Sequence, residues 1–274
     1  MAAATLVAAV LAGSAAAAAP KPWTAVRTEK HAGTVIAVLT GQRRISSFGP
    51  PEYRRLRLVV RNAGRKVYDQ GICTSERCGL ASHHSLSLQR VWRTSTPDAI
   101  VDFFTGGAHC CFESLIVLPD APSGHRSIFH DWGDPGYEVQ RFDGTSEFLT
   151  ADDRFAYAFT SFAASGLPVQ VWTIAADGRL ADITQSRPDL IEKDAEQWWH
   201  TYITQRSEPD GDVRGVLAAW CADEYRLGHE QKCTEELAIA QRHGFLRGPD
   251  VWPQNAKFVK ALKKMLAQLG YGSA

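Results

Sequence analysis

Short apolar runs separated by turn residues dominate the chain from Thr34 to about Thr184. They are Thr34 to Leu39, Leu56 to Val60, Val67 to Asp69, Ile100 to Thr105, Phe112 to Leu118, Ser127 to His130, Tyr137 to Phe142, Phe155 to Phe162 and Val169 to Ile174. Asn62-Ala63-Gly64, Asp134-Pro135-Gly136, Asp143-Gly144 and Asp177-Gly178 punctuate them. Gly, Asn and Asp tolerate positive φ and Pro presets a turn, so each combination stops a strand. Strands at this spacing with no long helix between them predict an antiparallel β domain. In Arg54 to Arg61, alternation places Leu56, Leu58 and Val60 on one face and Arg55, Arg57 and Arg61 on the other, which reads as a core face backed by a solvated one.

Near Ser186 the period lengthens. Pro188 suits a first helical turn, with Ser186 before it and Asp189 after it. Ile191, Ala195, Trp198 and Tyr202 then recur every three or four residues and form one apolar helix face. Val213, Leu217 and Trp220 mark a second helix after the Pro209-Asp210-Gly211 break, and Cys233, Leu237 and Ala240 a third, capped by Gly244. Phe258, Leu262, Met265 and Leu269 mark a fourth, whose opposite side carries Lys257, Lys260, Lys263 and Lys264 as a solvated face. The expected architecture is therefore α+β: antiparallel hairpins over 20–184 followed by a small helical C-terminal domain over 185–274.

The stretch Asp98 to Pro119, DAIVDFFTGGAHCCFESLIVLP, organises the β part. Two apolar runs flank Gly106-Gly107, which predicts a hairpin with a positive-φ turn, and His109, Cys110 and Cys111 follow directly.

Composition adds location. The first residues, MAAATLVAAVLAGSAAAAAP, are apolar and end in small residues, the pattern of a signal peptide over 1–19. The run is short and Ala-rich for a membrane span, and no later segment is apolar enough to be one, so the expectation is a secreted or periplasmic, cell-envelope protein without a transmembrane segment. The 30 basic residues balance the 30 acidic ones, which argues against a nucleic-acid partner. Six cysteines in an exported chain predict disulfides. Cys221 and Cys233, at the end of one predicted helix and the start of the next, should bridge. Cys73, Cys78, Cys110 and Cys111 allow three pairings; bridges from the Cys73/Cys78 loop to the hairpin are favoured because adjacent cysteines close only a strained ring.

The phrase VDFFTGGAHCC, with FLTADDRFAYAFTSFAASGLPVQVW some way downstream, resembles exported bacterial proteins related to the FG-GAP/VCBS repeats of integrin-type β-propeller blades. The resemblance spans Asp98 to Trp172, with weaker similarity at Arg54 to Asp69 and in GDVRGVLAAWCADEY. It implies propeller-blade-like hairpins with a helical tail and little about activity. Calcium-binding blades carry a D-x-D-x-D-G loop, whereas only Asp143, Gly144 and Glu147 remain here. Calcium at Asp143 and Glu147 is thus a candidate with too few oxygens, and no cofactor is the preferred reading.

His109, Cys110 and Cys111 offer a soft-metal or thiol site if His83 and His84 lie nearby, but adjacent cysteines seldom ligate one ion together, and disulfides are preferred. Neighbouring strand residues point to opposite faces, which separates a Cys110 nucleophile from His109. No G-x-S-x-G, H-E-x-x-H or Gly-rich phosphate loop occurs. The acid pairs Asp131/Asp134 and Asp152/Asp153 read most simply as turn residues. Among the eight tryptophans, Trp92 and Trp132 fall in predicted loops and are candidates to stack on a sugar, whereas Trp172, Trp198 and Trp220 belong to apolar faces. The expected role is a non-enzymatic binding or scaffold module whose partner is an envelope or extracellular protein or glycan. The alternative is an extracytoplasmic enzyme or metal/thiol protein using the His109-Cys110-Cys111 turn.

Overall fold

A computed structural model of the chain describes residues 22–45, 51–73, 78–81, 85–93, 95–106, 109–121, 124–208 and 211–272. The expected signal peptide and the His83-His84 pair lie outside them. The described residues form three four-stranded antiparallel sheets followed by four helices. The first sheet runs in chain order through β1 (Thr24–Ala32), β2 (Val35–Arg44), β3 (Glu52–Asn62) and β4 (Arg65–Gly71). The second holds β5 (Leu86–Gln89), β6 (Asp98–Phe104), β7 (Phe112–Leu118) and β8 (Arg126–Gly133). The third holds β9 (Glu138–Phe142), β10 (Thr145–Ala151), β11 (Val169–Ile174) and β12 (Leu180–Asp182). Each sheet is a simple meander.

The second sheet is the central layer, and its alternation explains the apolar density of the β6–β7 hairpin. Ala99, Val101, Phe103, Leu115 and Val117 pack with Val35, Leu58 and Val60 of the first sheet. The intervening Ile100, Ile116 and Leu118 pack with Phe148 and Ile174 of the third. A strand covered on both faces needs apolar residues at both parities, so the run is continuous rather than alternating. In β3, Leu56, Leu58 and Val60 are buried while Arg55, Arg57 and Arg61 project outward, with Arg57 Nε donating to Asp69 at 2.6 Å. The turn after β6 is a longer connection than a tight hairpin, spanning 105–111, and Gly106 adopts φ +91°.

The far face of the third sheet meets the helices: Val169 and Val171 pack on Ile191. Helix α1 (Pro188–Gln205) begins on the expected proline. Helices α2 (Arg214–Arg226), α3 (Glu230–His243) and α4 (Asn255–Leu269) follow, and Gly244 and Gly270 take left-handed conformations at φ +77° and +75° just past the last two. Trp220, Cys221, Cys233, Leu237, Phe258, Leu262 and Leu266 form the helical core, while the lysine face of α4 is exposed. Two sequence expectations change here. The run Phe155 to Phe162 forms two 3-10 turns instead of a strand, because Phe155 and Phe159 are drawn into the helical core and Tyr157 takes φ +58° between them. Trp198 and Trp172 are half-buried, not core.

The disulfides also differ from the favoured crossing. Cys73 pairs with Cys78 and Cys110 with Cys111, each closing a local loop. Cys221 pairs with Cys233 across a Cα separation of 5.1 Å and ties α2 to α3.

Polar contacts fix the helices to the β part. Arg214, completely buried, donates to Asp212 through Nε at 2.8 Å and Nη2 at 2.7 Å, and to the Pro253 carbonyl at 3.1 Å. Asp212 also accepts from Thr160 at 2.7 Å. On α1, Asp194 accepts from the β11 amide of Val169 at 2.8 Å and from Trp198 Nε1 at 3.0 Å. Burial raises its pKa, and burial beside Asp194 holds Asp223 on α2 well above the usual carboxylate range. Tyr271 donates to Asp152 at 2.7 Å.

Candidate functional site

One cleft opens where the second and third sheets separate at the ends of β8 and β10. Period-two alternation sends Ile128, His130 and Trp132 of β8 toward the third sheet, where Trp172 on β11 faces them. The His130 ring lies 4.2 Å from Trp132 at 70° and 4.9 Å from Trp172 at 55°. Gly133 ends β8 at φ +69°, and its amide donates to Asp131 at 2.9 Å. A Cβ on Gly133 would collide with Asp153, so glycine lets the two chain segments close on each other here. On the opposite wall Asp152 caps the 3-10 turn after β10, accepting from the Arg154 amide at 3.1 Å and its Nε at 2.7 Å.

The resulting cavity is about 450 Å³, with Asp131, Asp152, Asp153 and Asp182 against the single guanidinium of Arg154, and Gln170 and Leu269 completing the wall. Asp152 is already committed to Arg154 and Tyr271, whereas Asp153 accepts only the Asp134 amide at 3.2 Å among the described residues. Burial first, then the neighbouring Asp134, Asp131 and Asp152 charges, raises the Asp153 pKa. Glu113 stands opposite Asp131 in the β7–β8 register, and its pKa too is raised by burial and by that charge. Burial lowers the pKa of His130, against the pull of Asp131, so the imidazole is neutral near pH 7. The cleft is therefore an aromatic slot rimmed by acceptors.

Of the two acid pairs that read as isolated turns, Asp131, Asp152 and Asp153 line this one cleft, and the amide of Asp134 donates to Asp153. Sequence reasoning passed over His130, Gln170 and Asp182, and no spacing rule joins them, because the contact crosses between sheets. Trp132 lies in a strand and is only 3% exposed, which corrects its expected loop position; its indole nevertheless forms part of the cleft wall. Trp92 is half-buried with Nε1 donating to the Ala175 carbonyl at 2.8 Å, which occupies the polar edge that a ligand would use.

The remaining sequence candidates lie elsewhere. His109 stacks on Phe162 at 4.0 Å, no cysteine among the described residues is free, and no group of three His, Cys, Asp or Glu there is arranged to hold a metal. Both carboxylate oxygens of Glu147 accept from Arg187, and Asp143 occupies an exposed turn at φ +46°. A second recess, of about 550 Å³, contains Asp102, which accepts from Ser114 Oγ at 2.6 Å and Tyr137 Oη at 2.9 Å; Trp132 Nε1 donates to Ser114 at 3.0 Å. Burial raises the Asp102 pKa. The relay ties the two recesses together through Trp132.

Among known proteins, the chain is similar to a probable thylakoid lumen protein, sll0997, of Synechocystis, at 28% identity over 48% of this chain and 40% of that protein. It is also similar to the uncharacterized protein y4bJ of Sinorhizobium fredii, at 27% identity over 78% of this chain and 36% of that protein. The chain thus spans about two-fifths or less of the length of these relatives. No solved structure matches it. Residues 191–270, from the first turn of α1 through the end of α4, match the family model described as the sll0997 C-terminal domain.

Proposed function

We propose that the protein is an extracytoplasmic, non-enzymatic binding module that holds a neutral or amino-bearing glycan in the cleft between the second and third sheets. The apolar, small-residue pattern of 1–19 and the similarity to a probable thylakoid lumen protein support the location. Three successive four-stranded meanders support the propeller-blade-like reading of the β part. The observation that carries the ligand class is the pairing of Trp132, Trp172 and His130 with Asp131 and Asp153 in one cavity. Aromatic faces stack on the apolar face of a sugar, and carboxylates accept from its hydroxyl or ammonium groups. Four carboxylates against one guanidinium disfavour acidic glycans.

Titration of the full protein with soluble neutral, amino-bearing and acidic oligosaccharides, followed by tryptophan fluorescence and calorimetry, tests this. The expected result is saturable binding of a neutral or amino sugar, lost in Trp172→Ala and weakened about tenfold in Asp153→Asn, the loss of roughly one charge-assisted hydrogen bond. Absence of binding across the panel, or preference for acidic sugars, overturns it.

A further inference from the structure

The helical unit carries a separate recess of about 410 Å³, walled by Glu192, Glu196 and Trp199 of α1, Trp220 and Glu224 of α2, and Lys232 of α3. The two indoles lie 4.9 Å apart at 39°. Lys232 Nζ sits 5.6 Å from the centre of the Trp220 ring and pairs with Glu224, while His229 Nδ1 stands 2.9 Å from the other oxygen of the same carboxylate. Glu224 is 2% exposed. Glu192 and Glu196, one helical turn apart, have no hydrogen-bond or ion-pair partner among the described residues.

These features have one chemistry in common. Indole faces attract cations through their quadrupole, and the attraction grows as water is excluded. Three carboxylates around an aromatic wall reject anions. The chain also displays the preference internally, because Lys232 places its own ammonium between Trp220 and Glu224. Its side chain is 62% exposed and can swing out into solvent.

We propose that this recess binds an organic ammonium ion, which displaces Lys232 from Trp220 and Glu224. Glu192 and Glu196 supply the second half of the charge, and Trp199 supplies the accessible ring face. The site is built entirely within residues 191–270, and it is independent of the glycan cleft.

Calorimetric and fluorescence titration of the full protein at low ionic strength tests it, with choline and Nα-acetyl-lysine methyl amide as probes and 3,3-dimethylbutan-1-ol as the uncharged isostere of choline. At least one cation saturates the site and the isostere does not. Saturation by choline alone identifies a free quaternary ammonium, and saturation by the lysine derivative identifies a basic side chain; either supports the assignment. The exposed-position variant Glu196→Gln weakens binding about fivefold, and Lys232→Gln, which removes the internal competitor, tightens it about fivefold. Trp172→Ala leaves it unchanged, so failure of the glycan reading does not touch this one. Equal binding of the isostere, no saturation by either cation, or weaker binding in Lys232→Gln overturns the proposal.

Discussion

The β part and the helical part bury their apolar residues in different ways. In the β part the core is divided into slabs, one between the first and second sheets and another between the second and third. The helices share a single core that continues into Phe155 and Phe159. A slab between sheets leaves open seams wherever two strands end together, and the acid-rimmed cleft occupies such a seam. A helical core closes on itself, so its recess lies outside, between the exposed flank of α1 and the start of α3. Each region thus offers a ligand a different kind of surface: a slot between layers in one, a dent over buried indoles in the other.

That contrast makes the helical unit the more brittle of the two, and Arg214→Ala should show the largest effect. It strands Asp212 and removes a buried ion pair, which costs about 3–5 kcal/mol. Hydrogen exchange should then collapse in α2 and α4 before the second sheet; simultaneous loss in β6 and β7 would mean that the two parts unfold as one. Replacing Cys221 and Cys233 by alanine comes next, at about 3 kcal/mol from the loop their bridge closes. Removal of the shorter Cys73–Cys78 loop should lower the melting temperature less.

A third effect belongs to the β part. Asp98 is almost wholly buried, accepting from the Val91 and Trp92 amides at 3.0 Å each, and burial raises its pKa to about 7. Between about pH 4 and pH 7 the folded chain keeps a proton that the unfolded chain has lost, so stability falls as pH rises through that window and levels off above it. The raised Asp102, Asp153 and Asp223 act in the same direction. Asp98→Asn keeps an acceptor for both amides and should remove roughly 2 kcal/mol of the pH 5 to pH 8 difference in chemical denaturation. An unaltered slope would assign it to the other acids. The smallest effect is expected from Lys260→Ala on the exposed face of α4, within about 0.5 kcal/mol by the same measurement. A larger loss would mean that this face is covered.

Local periodicity made the helices and most strands legible. Pro188 and Gly244 marked helix boundaries, and the alternation of β3 marked its buried face. Four strands were missed: β1 carries charged residues on an exposed surface, β5 and β12 have only four and three residues, and in β10 Glu147 interrupts a short apolar run. Phe155 to Phe162 misled because its aromatics satisfy the helical core from turns. Of the cleft, Trp132, Asp131, Asp152 and Asp153 were visible as residues, yet nothing local told that β8 and β10 end side by side. The pairing of Cys110 with Cys111 was set aside in the sequence because adjacent cysteines close only a strained ring, yet it is the one that forms.

The hydrogen bond from Tyr271 to Asp152 has a mechanical meaning. A domain hung from one connection can swing about it like a door, but the helical unit is fastened at several places: covalently between β12 and α1, where Ile191 packs on β11 and Asp194 accepts from Val169, where Asp212 accepts from Thr160, and where Tyr271 reaches the 3-10 turn beyond β10. Because Asp152 is itself part of the cleft wall, a ligand that pulls this turn aside would loosen the Tyr271 fastening alone, and Tyr271→Phe should raise hydrogen exchange at the end of α4 while the helices keep their other attachments to the β part.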